Sequence, residues 1–196
     1  MKNRLSQIAY RKSLKRFLLF LAICYMPYAI LGCGYTTRSG ISDKYRTIYI
    51  PPFLNKIDIT SEAKASLKYQ VYRPLLETDV TKAVIDRFMM DGNLRIAKDQ
   101  NSDLVLKGSL VDFRRDVLRY ATDEETPEEY RISISVDINL WDGKENKLVW
   151  EEKGFTGDTT YFALTTNPQY KSEATAITDA TTDLARRIVA RTVEQW

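Results

Sequence analysis

The chain of 196 residues has no histidine and only two cysteines, Cys24 and Cys33. Without histidine it lacks the commonest general base near neutral pH and the commonest ligand in transition-metal sites. Two cysteines are too few for the disulfide framework of a small secreted domain. Glycine-rich phosphate loops, internal repeats and low-complexity tracts are missing as well. No apolar run is long enough to span a bilayer. The longest, residues 17–31, would reach about 22 Å as a helix against a hydrocarbon core of ~30 Å. Pro27 interrupts it further. Carboxylates are concentrated at Asp123, Glu124, Glu125, Glu128 and Glu129. They suggest a glycosidase pair or a calcium loop, but a charge run around a proline reads first as a solvated loop. These absences argue against an enzyme, a metalloprotein and a helical membrane channel.

The charge that is present is unevenly placed. The formal net charge is +3, with 29 Lys and Arg against 26 Asp and Glu. Lys2, Arg4, Arg11, Lys12, Lys15 and Arg16 are basic and unopposed by any acid before residue 33, so the rest of the chain is slightly acidic. A body of that charge has no compositional case for nucleic acid. The basic start followed by a short apolar run is the pattern of an export signal, residues 1–32.

The end of that signal, Ile30, Leu31, Gly32 and Cys33, resembles a bacterial lipobox, the cleavage site of the lipoprotein signal peptidase. The resemblance implies that the Cys33 thiol takes a diacylglycerol and becomes the first residue, later N-acylated, palmitate being a usual chain. Cys24 would be discarded with the signal, which leaves no partner for a disulfide. Gly34 follows Cys33 where an Asp would favour retention in the inner membrane, so the expected destination is the periplasmic side of the outer membrane. Residues 33–45 would form the lipidated tether and residues 46–196 a single domain.

Periodicity gives the body its elements. Residues 46–55 read as a short strand stopped by Pro51 and Pro52. Residues 56–76 carry no strong pattern. Val80, Val84 and Phe88 lie on one face of a helix over residues 77–90, with Thr78 and Asp79 as start signals and Gly92 as the stop. A β-rich stretch covers residues 103–114. Residues 130–141 alternate Tyr130, Ile132, Ile134, Val136, Ile138 and Leu140 with Arg131, Ser133, Ser135, Asp137 and Asn139. This is a strand with one buried and one wet face. Asp142 and Gly143 open a turn, and residues 148–155 return as its hairpin partner. Beyond Pro168, residues 172–195 form a second helix with Ile177, Thr181, Leu184 and Ile188 as its stripe and Arg186, Arg187 and Arg191 near its end. The order β-α-β-β-β-α with one-faced elements predicts an α+β two-layer sandwich. Both helices would pack on one face of a roughly four-stranded mixed or antiparallel sheet.

The same order resembles the LptE family of lipopolysaccharide-assembly lipoproteins from Gram-negative outer membranes. The resemblance covers the body from the lipid site onward. It rests on Cys33, Gly34 and Tyr35, on residues 50–55, 76–81 and 102–110, and on Glu129 and Tyr130 leading the alternating strand. The connection over residues 57–75 is longer than is usual in the family. The resemblance implies a non-catalytic, cofactor-free protein that sits in the lumen of a large outer-membrane β-barrel, LptD. There it would stabilise the barrel and assist lipopolysaccharide insertion into the outer leaflet.

Contact with lipopolysaccharide calls for cations facing phosphates. Arg119 and Lys153 are the first candidates, read as lying beside turns at one end of the sheet. Arg131 and Arg115 follow, then Arg114 and Lys147. Solvated surface cations are the plain alternative for each. A rival function fits the same leader and fold: a periplasmic lipoprotein that activates a peptidoglycan synthase or pilots a secretin.

Overall fold

A computed structural model describes residues 41–57, 73–123 and 125–194. The leader, Cys33 and most of the 57–75 connection lie outside the described residues. The elements in order are α1 (Ile41–Lys44), β1 (Thr47–Tyr49), β2 (Leu54–Asn55), α2 (Leu76–Asp91), β3 (Arg95–Ile96), β4 (Leu104–Tyr120), β5 (Pro127–Asp142), β6 (Lys147–Phe162) and α3 (Glu173–Val193).

The alternating strand is the middle of the molecule. Ile132, Ile134, Val136, Ile138 and Leu140 of β5 have no exposure and join one core cluster with Val80, Val84 and Phe88 of α2 and Ile177, Leu184 and Ile188 of α3. β4 and β6 flank β5 antiparallel over almost its whole length. Period two along β5 thus becomes a two-layer α+β sandwich with the helices on one face.

The sheet has six strands rather than four, in the order β3-β1-β4-β5-β6 with β2 also on β4. Two causes account for the difference. Pro51 and Pro52 cannot donate to a ladder, and they split the first strand in two. Each piece pairs parallel with β4 at its own place, Ile48 opposite Leu104 and Leu54 opposite Ser109. The third addition, β3, has only two residues and no readable period; it is a strand because Thr47 and Ile48 pair with Arg95 and Ile96. β4 also runs to Tyr120 and β6 to Phe162, beyond the stretches their sequence marks.

The helix ends follow local chemistry. Ser172 caps α3 by accepting the Thr175 N–H at 3.1 Å. α2 does not start on the Thr78 and Asp79 signals. Its N-cap is Leu75 in the left-handed region at φ 65°, without a side-chain cap, and Leu75 O accepts the Thr78 N–H. Glu77 and Asp79 fall inside the first turn, where carboxylates suit the helix dipole. Gly92 ends α2 at φ 75°, with its N–H on Phe88 O.

α3 also closes one sheet edge. It lies so near β6 that a Cβ at Gly157 would sit 2.5 Å from Leu184 Cα. Asp183 then accepts the outward Asp158 N–H at 3.3 Å, and Arg187 donates to Thr156 O at 3.3 Å. The main-chain groups of an edge strand otherwise invite another chain.

The end of the sheet that receives the N-terminal segment is fastened by two buried or half-buried carboxylates. Asp103 Oδ2 accepts from the Arg46 N–H, the Thr47 N–H and the Thr47 hydroxyl at 2.9–3.0 Å, while Lys144 meets Oδ1. Asp142 accepts the Tyr45 hydroxyl at 2.9 Å and the N–H groups of Lys144 and Glu145 in the β5–β6 turn. The Lys144 ammonium first, then the Arg46 and Thr47 donors, hold the Asp103 carboxyl at about 2. An unfolded Asp titrates near 3.9. The stabilisation is therefore complete above about pH 4 and lost as pH falls through about 2. Asp103→Asn should cost about 2 kcal/mol at pH 7, with the gap to the parent closing towards pH 2. Urea unfolding at several pH values reads it, and a pH-independent gap would contradict the charged staple.

Candidate functional site

With both helices on one face, the other face of β4-β5-β6 is open among the described residues. The register fixes its rows. Lys107 lies opposite Asn139, Ser109 opposite Asp137, Asp112 opposite Ser135, Arg114 opposite Ser133, and Asp116 opposite Arg131. On the far side of β5, Thr156 lies opposite Ser135, Asp158 opposite Ser133 and Thr160 opposite Arg131.

Ser133 and Ser135, which the alternation assigns to the wet side, are only 7% exposed. They do point away from the core. β5 lies between β4 and β6, so each short serine has longer side chains on both sides. The Ser135 hydroxyl also bonds that of Thr156 at 2.9 Å. The middle of the open face is therefore a shallow hydroxyl-lined floor with charged walls.

The walls alternate in sign. Arg114 pairs with Asp112 at 3.2 Å, and Arg119 with Glu129 at 3.4 Å. Arg131 is exposed and lies between Asp116 and Thr160 in the ladder. At the opposite end of the face Lys107 stands over the Trp141 ring at 5.3 Å.

The four cations singled out from the sequence do not form one cluster. Arg119 and Arg131 share the open face, two positions apart along the ladder. Lys153 is elsewhere: it occupies the β6 bulge opposite Asp137, 76% exposed and 3.8 Å from Glu151. Eight residues of β5 separate the Arg119 and Lys153 rows, about 27 Å. The reading that both flank turns at one end of the sheet is thus corrected: the two turns of the antiparallel β4-β5-β6 meander fall at opposite ends, and β6 runs from Lys147 to Phe162, which leaves Lys153 inside the strand. Arg115 faces the helix layer instead. Its Nη1 donates to Glu173 in the first turn of α3 at 2.7 Å, and its guanidinium lies 5.0 Å from the Tyr130 ring centre. Burial and pairing give Arg115 a structural task, joining α3 to β4. Register, which relates distant residues, separates these roles; composition and spacing do not.

Beyond Arg115 the β4–β5 hairpin continues as an arm with exposed Val117, Leu118 and Tyr120. Tyr130 and Tyr161 stack at its base, 5.6 Å between ring centres. Among the described residues no helix is long and apolar enough to cross a membrane, and no group of His, Cys, Asp or Glu side chains is placed to hold a metal ion.

The described residues form a two-layer α+β sandwich with one core face and one open, polar, charge-alternating face. The chain belongs to the LptE family, described as lipopolysaccharide-assembly, which it matches over residues 45–192. None of the curated proteins matches the sequence. Among solved structures, a protein from Xanthomonas campestris is similar, with 15% identity, 76% of this chain and 84% of that one covered, and a TM-score of 0.51. The rare lipoprotein B of Shewanella oneidensis is 14% identical over 75% of this chain and 93% of its own, with a TM-score of 0.43. The PelC dodecamer of Paraburkholderia phytofirmans gives 14%, 78%, 91% and 0.46 in the same terms. At 15% identity the Xanthomonas protein shares the fold, and no function is carried across from it.

The different tasks of the arginines are separable. Arg115→Met should destabilise the protein by about 1–3 kcal/mol, because it leaves the Glu173 carboxylate without its partner. Arg131→Met, at an exposed position, should stay within about 0.5 kcal/mol of the parent. Equal melting temperatures for the two variants would contradict this division.

Proposed function

We propose that the protein is an outer-membrane lipoprotein, held on the periplasmic side by acyl chains on Cys33. In this reading it plugs and stabilises the LptD β-barrel and assists lipopolysaccharide assembly at the outer leaflet, without turnover of its own. The observation that carries the reading is the open sheet face. A large barrel encloses a polar, water-lined interior. A plug for it needs a rigid core on one side and a hydrated surface of mixed charge on the other. The β4-β5-β6 face has hydroxyl, carboxylate and guanidinium groups and the helix face has the core. Membership of a lipopolysaccharide-assembly family supplies the context.

The pull-down decides between this and the rival. The tagged protein, purified from detergent-solubilised outer membrane, should bring down a large β-barrel. A cell-wall synthase or a secretin in its place would favour the activator or pilot reading.

Phosphates of lipopolysaccharide would meet the open face at Arg119 and Arg131, which lie together there, ahead of Lys153 on its own bulge and Arg115 under α3. Reversing Arg119 and Arg131 to Glu should weaken lipopolysaccharide binding about tenfold, since each of the two exposed ion pairs is worth about 0–1 kcal/mol and about 1.4 kcal/mol is a factor of ten. Unchanged affinity in a direct binding assay would remove both from the contact surface, and a loss with Lys153→Glu alone would move the contact to the bulge.

A further inference from the structure

The molecule is electrostatically polarised along its strands. At the end where β1, β3, β4 and β6 begin, Lys44, Arg46, Arg95, Lys144 and Lys147 are all exposed. The ladder brings them together: Arg95 is opposite Thr47, Arg95 N donates to Arg46 O, and Lys147 is opposite Asp142. Of the carboxylates beneath them, Asp103 pairs with Lys144 and accepts from the Arg46 and Thr47 main chain, and Asp142 accepts from the Lys144 and Glu145 main chain. Among the described residues, Glu145, Glu194 and Asp99, in the connection from β3 to β4, are the exposed acids near this end. Met90, 78% exposed in the last turn of α2, and Leu148, 39% exposed at the start of β6, flank the cations. The opposite end is the turn of the arm. Asp123, Glu124, Glu125, Glu128 and Glu129 follow one another there with no cation between residues 120 and 130. The 16 residues of β5 hold the two ends apart, by about 53 Å.

Chain length says which end meets a membrane. Ile41 lies eight positions beyond Cys33, a stretch that at full extension reaches about 29 Å. Ile41 is buried beside Tyr45 at the basic end. A lipid on Cys33 therefore keeps the basic end close to the headgroups, while the acidic turn is free to stand farther away. We infer that the basic end is a docking surface for anionic phospholipid headgroups, which stands the domain on its tether with the acidic arm turned away from the membrane. The orientation rests on the proposed lipidation of Cys33; the headgroup contact does not. Both ends act in the same sense, because an anionic surface attracts the five cations and repels the carboxylate turn. Before any partner is engaged, the arm and the open sheet face are thus the parts presented to it.

The test uses the chain from Gly34 onward, which carries no lipid and no cysteine. It retains all core residues found among the described residues, from Ile41 to Val193. Its partition onto vesicles containing phosphatidylglycerol is compared with that onto pure phosphatidylcholine. Binding should be stronger on the anionic vesicles and weaken with added salt. Each basic side chain near such a surface contributes about fivefold. The triple variant Arg46→Gln, Arg95→Gln, Lys147→Gln should therefore lose about a hundredfold, with its fold checked by circular dichroism. A fluorophore on Glu145→Cys should be quenched by a headgroup quencher, and one on Thr122→Cys should not; this comparison stands even if the triple variant fails to fold. Equal partition onto neutral and anionic vesicles, an unchanged triple variant, or equal quenching of the two labels would each overturn the proposal. Fatty-acid labelling of the full chain against Cys33→Ser is the separate test of the tether. Its failure would sink the lipoprotein reading and leave the headgroup result standing.

Discussion

The whole architecture depends on the burial of one face of β5. Ile132, Ile134, Val136, Ile138 and Leu140 are entirely withdrawn from water. At about 1.5–3 kcal/mol for each fully buried side chain, they supply on the order of 10 kcal/mol of favourable transfer. That exceeds what any single hydrogen bond or ion pair in the molecule contributes. A one-residue slip of register would bring Ser133, Ser135 and Asp137 into the helix layer, so the same face fixes the pairing of both neighbouring strands. Helices can cover that face only. The residues between, pointing the other way, have to be satisfied by one another and by solvent.

The sheet closes its edges by different means. On the β6 side, Asp183 and Arg187 of α3 take main-chain groups of Asp158 and Thr156, and Lys171 N donates to Phe162 O. On the β4 side, β1 and β2 pair as far as Leu110. Past that point β4 carries register shifts at Leu110/Asp112 and Val117/Arg119. Bulges of this kind twist an edge and make it a poor template for another strand. The arm beyond is held less by core burial than by Arg115 on Glu173 and Tyr130 on Tyr161.

What the sequence made legible is what has a period. Strict alternation over residues 130–141 located the core strand and its inward face, and the stripe of α3 was equally plain. Features set by partners distant in the chain were not. β3 exists only through its pairing with β1. The floor position of Ser133 and Ser135 comes from neighbours distant in the chain, such as Asp112 and Asp158. Leu75 opens α2 in a left-handed conformation that a leucine does not advertise. Among the candidate cations, charge alone could not tell Arg115, committed to α3, from Arg131, exposed on the open face. The signal that separates them is parity along the strand, and the Leu110/Asp112 bulge inverts that parity on β4.

The open face also constrains how an anion is held there. Each cation of the arm has a carboxylate at hand: Asp112 for Arg114, Asp116 across the ladder from Arg131, and Glu129 for Arg119. A phosphate reaching Arg114 or Arg119 has to displace a carboxylate already in contact, so the exchange is of one ion pair for another. The net gain is small at a hydrated surface, where such pairs are worth about 0–1 kcal/mol. Displacement of this kind keeps residence short. For a protein proposed to pass an anionic glycolipid onward rather than keep it, weak and reversible contact is the useful property. A row of unpaired arginines would bind more tightly and release more slowly.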